Sequence, residues 1–182
     1  MRRANAFISM LILALFLFHG IMGGFQLAGV IPGGSGLMKV MAWIMTVLIA
    51  VHGIIGIKLT ADTFRTIKKS GAGYYKENRL FWLRRASGFA IMVFILFHIL
   101  IFLGKNGDAY RLSLFAVPQL ISQILLVISV ALHVITNVRP MLLSFGTKSW
   151  KDLGLDLCMI LAGAMLFTGV CFIVYYIRWK VF

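Results

Sequence analysis

Five apolar runs constrain this chain more than any other feature. They cover approximately 6–28, 38–59, 86–103, 114–138 and 153–177, each near the ~20 residues that a helix needs to cross hydrocarbon. Composition agrees. Of 182 residues, 61% are hydrophobic and 13% charged, and mean hydropathy is +0.97. No soluble core of this size could bury so much Leu, Ile, Phe and Val. The reading is an all-α integral membrane protein, with residues 1–182 as one domain of five transmembrane helices. No repeat, low-complexity tract or soluble domain interrupts it.

The opening "MRRANAFISMLILALFLFHGIMGG" starts like a secretory signal, because Arg2 and Arg3 precede an apolar segment. The run continues past Phe25, longer than a signal core, and no small-residue cleavage motif closes it. It reads as the first span. "GVIPGGSG" follows as a turn-forming loop.

Basic residues set the orientation. Arg2, Arg3, the eight between Lys58 and Arg85, and Arg139, Lys148 and Lys151 fall on one side, thirteen in all. Lys39, Lys105, Arg111, Arg178 and Lys180, five in all, fall on the other. The positive-inside rule then places the N-terminus in the cytoplasm and the C-terminus outside, in the inner (cytoplasmic) membrane. The net charge of +13 is thus a topology signal. Nucleic-acid binding is a poor reading, since no soluble domain displays that charge.

Cys158 and Cys171 stand thirteen apart in the last span. They form neither a CxxC pair nor a CxxCH haem attachment, and read as soft packing residues. The histidines are more informative. His19, His52, His98 and His133 fall one on each of the first four spans, and none lies in a loop. Any one alone is accounted for by a helix–helix hydrogen bond. Four together point to shared ligands, because an imidazole inside a bilayer is costly unless used.

Depth groups them. Counted from the cytoplasmic ends of their spans, His19 and His98 lie ~21 Å in, His52 ~12 Å and His133 ~8 Å at 1.5 Å per residue. An outer pair, His19 and His98, and an inner pair, His52 and His133, could each clamp one planar ring as axial ligands to iron. Gly20, Gly53, Gly56 and Gly88 stand near these histidines and would give such a ring room. Small residues also simply let helices approach.

"RRASGFAIMVFILFHI" resembles the R-x-[ST]-G with downstream His of the cytochrome b subunits of succinate dehydrogenases and fumarate reductases. "VHGIIGI" and "LHVITNVRPMLLSFG" resemble that family's second and fourth ligand regions. Five helices with one His on each of the first four match its single-chain, di-haem, menaquinone-coupled type. Span 1 matches through His19 and topology alone, because it lacks the Arg/Ser/Gly pattern.

The resemblance implies a haem-binding four-helix core plus a fifth helix, holding two non-covalent b-type haems. It implies a membrane anchor for an FAD flavoprotein subunit and an iron–sulfur subunit on the cytoplasmic face. Electrons would pass between succinate or fumarate, on another chain, and membrane menaquinone. Arg85 and Ser87 fall on the motif positions that in relatives lie near a haem propionate or an inner quinone, and Arg139 is a further propionate candidate. The family's quinone chemistry lies near the outer haem. By position, Gln26, Asn106 and Tyr110 could bond a quinone carbonyl there, and Phe25 and Phe102 flank its ring. The loop expected from Asp62 to Arg85, with Tyr74, Tyr75, Phe81 and Trp82, suits docking of the iron–sulfur subunit. One departure stands out. Some relatives use intramembrane glutamates as a proton path, but the only Glu here is Glu77, in a loop. Two alternatives stay open: a di-haem cytochrome b of a hydrogenase, formate dehydrogenase or ferric reductase, and a haem-free transporter or anchor. The direction of turnover, the quinone type and any higher assembly of complexes are not readable from the sequence.

Overall fold

The computed structural model describes residues 2–33, 35–71, 78–103, 115–147 and 150–181. Among them the only regular elements are helices: α1 (Arg2–Ala28), α2 (Gly36–Ser70), α3 (Arg79–Phe102), α4 (Val117–Ser144) and α5 (Trp150–Val181). All five are long and apolar enough to cross a membrane. Ile54, Phe89, Leu100 and Leu166 are each at least 67% exposed, a display that suits lipid and not water.

The helices overrun the spans that hydropathy marks. At 1.5 Å per residue the 35 residues of α2 extend ~52 Å, well beyond ~30 Å of hydrocarbon. Nothing between Thr60 and Ser70 breaks a helix. Thr60, Thr63 and Thr66 fold their hydroxyls back onto the carbonyls of Gly56, Leu59 and Asp62. Arg65 pairs with Asp62 at 3.3 Å, and Lys68 and Lys69 suit the negative end of the helix dipole. Gly71 stops the run at φ 68°, donating its N–H to the Ile67 carbonyl. The stretch expected as a loop from Asp62 to Arg85 is therefore largely helix, because hydropathy reports the lipid-facing part of a helix and not its end. Phe64 of α2 meets Trp82 of α3 at 5.4 Å between ring centroids. Tyr74 and Tyr75 lie outside the described residues.

In α4, Pro140 sits inside the helix, which continues to Ser144 before Gly146 turns it at φ 75°. The missing N–H leaves a carbonyl of the preceding turn free. One turn earlier, side chains bond the helix backbone, Asn137 donating to His133 O at 2.6 Å and Thr136 to Leu132 O at 2.7 Å; neither is the Thr136 carbonyl that Pro140 frees.

Around the bundle, α2 packs on α1, α1 on α5, α5 on α4 and α4 on α3, while α2 barely touches α3. The fifth helix is thus a wedge between α1 and α4. One apolar cluster joins Leu27 of α1, Phe115, and Cys171, Phe172 and Tyr175 of α5. A second joins Val138 and Leu142 of α4 to Leu161 of α5, with Leu13, Leu17 and Cys158 against it. Both cysteines are free thiols used in packing, as expected. Arg178 of α5 donates to Leu27 O at 3.0 Å, closing the end of α1 where Gly29 has φ 77° and no Cβ to obstruct the guanidinium. By contrast α2 and α3 bury one residue each, Met45 and Ser87. Those two helices wall a space instead of filling one.

Candidate metal centre

That space is a cavity of about 1080 Å³, at the top of the ~300–1,000 Å³ range of ligand pockets. It runs the length of the bundle. One end is lined by Gln26, Ser35 and Lys39, the other by Asn5, Arg84, Arg85 and Ser144, and all four histidines line it between.

The histidines meet in two pairs. His19 of α1 faces His98 of α3 with ring centroids 6.1 Å apart and planes at 76°. His52 of α2 faces His133 of α4 at 6.2 Å and 86°. No hydrogen bond joins the rings of either pair. An imidazole nitrogen lies ~2.0–2.1 Å from a first-row metal and its ring centroid ~1.1 Å further back, so two ligands on opposite sides of one metal place their centroids ~6.3 Å apart. Both observed spacings fall within a few tenths of an ångström of that value.

Three of the four rings are oriented through Nδ1. His133 Nδ1 donates to the Arg84 carbonyl at 3.1 Å and lies 3.4 Å from Ser87 Oγ. His52 Nδ1 is 3.3 Å from Ser9 Oγ, whose own proton goes to Asn5 O at 2.8 Å. Ser9 therefore accepts from His52. His98 Nδ1 is 2.7 Å from Gln123 Oε1. Each of these bonds fixes the neutral tautomer whose Nε2 carries the lone pair, as metal-ligating histidines require. His19 Nδ1 is buried and has no hydrogen-bond partner.

The remaining walls fit a flat, partly acidic macrocycle. Gly20, Gly23, Gly24 and Gly56 line the cavity, and a Cβ on Gly23 would meet nothing within 4 Å. At Gly88 a Cβ would lie 3.1 Å from the His133 ring, so glycine is what lets α3 approach that imidazole. Toward the Arg84 end the buried Nε atoms of Arg84 and Arg85, and Oδ1 of Asn5, lack partners. Arg85 also donates from a terminal nitrogen to Gly56 O at 3.4 Å and lies over the Phe81 ring at 4.9 Å. Arg84 and Arg85 both line the cavity at this end, and guanidinium groups there suit carboxylates such as porphyrin propionates.

Other expected site residues are spread more widely. Ser87 is buried and does not line the cavity; its hydroxyl donates to Leu83 O at 2.7 Å. Arg139 is exposed and outside the cavity wall. At the opposite end Gln26 lines the cavity and donates to Pro32 O at 3.4 Å. Phe102 lines it too, 4.8 Å from His98 between centroids, whereas Phe25 turns to Phe167 at 5.2 Å. Asn106 and Tyr110 lie outside the described residues. Asn5, Ser9, Arg84 and Gln123 are additions that sequence reasoning missed. Among the described residues no cluster of three or more His, Cys, Asp or Glu assembles, so the candidate metal ligands are the two histidine pairs. No family model, curated protein or solved structure matches the chain.

Proposed function

We propose that this chain is the di-haem cytochrome b anchor of a succinate:quinone oxidoreductase, passing electrons between an iron–sulfur subunit and membrane menaquinone. The observation that carries the haem assignment is the pair of histidine pairs, spaced 6.1 and 6.2 Å in one cavity. Bound haem would supply a one-electron iron couple, and a pair of imidazoles on each iron would favour electron transfer over substrate binding. His19 and His98 would hold the outer haem, and His52 and His133 the inner one. Arg84 and Arg85 would face the carboxylates of the inner haem, and the apolar helices would shield both haems along most of their length.

The succinate assignment rests on the R-x-S-G resemblance and on the one-per-helix placement of the ligands. The bias of basic residues supports an N-terminus in the cytoplasm, and so a cytoplasmic Arg84 end. There the extension of α2 past Leu59 and the start of α3, with Lys68, Lys69, Arg79, Phe81 and Trp82, offer a basic and aromatic surface to the iron–sulfur subunit. Menaquinone would react toward the opposite end, near Gln26 and Phe102. The test is direct reduction in isolated membranes. Succinate should reduce the haem bands and a menaquinone analogue should reoxidise them. Haems that dithionite reduces and succinate does not would assign the chain to another respiratory partner.

A further inference from the structure

Gln123 is fully buried in α4, at 0% exposure, and nothing about helix formation calls for a glutamine there. Its amide is held at both ends. Nε2 is 3.1 Å from Ser122 Oγ, and Ser122 spends its own proton on Gln119 O at 2.7 Å. The hydroxyl can therefore only accept from the amide, which turns Oε1 toward His98 at 2.7 Å. An oxygen there demands a proton on His98 Nδ1 and so leaves Nε2 bare. The polarity of the whole chain, from the Gln119 carbonyl to the imidazole, is fixed by one hydroxyl.

We infer that Gln123 is the positioning residue of the outer metal centre, locking the His98 tautomer and strengthening His98 as a donor. This rests on the haem reading above and deepens it. The outer pair depends on this bond more than the inner pair depends on either of its own. His19 has no Nδ1 partner, so among the described residues Gln123 provides the only hydrogen bond to either ring of the outer pair. Phe102 and Phe172 flank His98, with centroids at 4.8 and 6.5 Å, and their apolar surroundings strengthen a hydrogen bond made beside them. An acceptor on Nδ1 adds electron density to the ligand and favours the ferric state. Removing it should raise the outer potential.

The experiment compares Gln123→Met, which keeps the shape and loses the acceptor, with Gln123→Glu, which keeps an acceptor oxygen at the same reach. Redox titration of each purified complex is read at the spectral component that His98→Ala abolishes. Gln123→Met should favour the ferrous form about tenfold, a rise of ~59 mV for a one-electron couple, with the inner component unmoved. Gln123→Glu should stay at or below the wild-type value. Loss of the outer haem in Gln123→Met with two haems retained in Gln123→Glu would equally support the assignment. Two variants with the same outer potential, or both without the outer haem, would overturn it while a haem-loaded wild type left the parent reading intact. A wild type without haem would overturn both.

Discussion

Gly88 offers a test that geometry sets in advance. A Cβ built there would sit 3.1 Å from His133 Cε1 and 3.2 Å from Nδ1, inside the ~3.5–4.0 Å optimum for non-bonded contact. The ring is not free to yield, because Nδ1 is tied to the Arg84 carbonyl at 3.1 Å. Gly88→Ala must shift the imidazole by a few tenths of an ångström, and Gly88→Leu must drive it from its place. Overpacking of this kind costs ~1–3 kcal/mol, or about 5- to 150-fold in an equilibrium constant at 1.4 kcal/mol per tenfold. Haem affinity at the inner site should fall by that order in Gly88→Ala, and Gly88→Leu should lose the inner haem altogether. Gly163→Leu is the control, since Gly163 is exposed and a Cβ there meets nothing within 4 Å. Pyridine haemochrome and redox difference spectra of the three purified variants supply the readout. A Gly88→Leu protein with both haems at wild-type potentials, or one that loses the outer haem and keeps the inner, would refute the reasoning.

Further outcomes follow from the same geometry. His19→Ala and His98→Ala should each abolish one spectral component, and His52→Ala and His133→Ala the other; a shared loss in His19→Ala and His52→Ala would break the pairing. Charge reversal at Lys68, Lys69 and Arg79 together should release the soluble subunits from membranes with the haem spectrum unchanged, and retention of those subunits would reject the docking surface. If menaquinone reacts at the Gln26 end, electrons cross the bilayer, and turnover in sealed vesicles should respond to membrane potential at ~2.3 kcal/mol per charge per 100 mV. Turnover indifferent to collapse of the potential would move the quinone to the Arg85 end.

Much of the architecture was legible because lipid imposes a length and a polarity on each span. The five helices follow from hydropathy, and simple depth along the spans already grouped His19 with His98 and His52 with His133. What hydropathy could not show was where α2 ends, since the residues from Thr60 to Ser70 are polar yet helical. The wedge position of α5 was equally hidden: its apolar surface reads the same whether it faces lipid or α1 and α4. Gln123 escaped notice although a signal was present. It stands ten residues before His133 in an apolar run, and the same arithmetic puts it ~22 Å from the end of its span, level with the outer pair. An amide inside an apolar run at that depth is as costly in hydrocarbon as an imidazole, and so is the same kind of signal. The partner of His133 had no such signal, because a backbone carbonyl can come from any residue.

If the two histidine pairs hold two haems, the count of haem per chain, taken with ferric low-temperature EPR of the same sample, must show both. About two haems per chain are expected, one per histidine pair. Both should be low-spin, with the highly anisotropic signal, a large g-max at low field, of crossed imidazole planes, since the ring planes stand at 76° and 86°. A count near zero would rule out haem binding, and a count near one, or a high-spin signal from an iron with an open position, would rule out two bis-histidine sites.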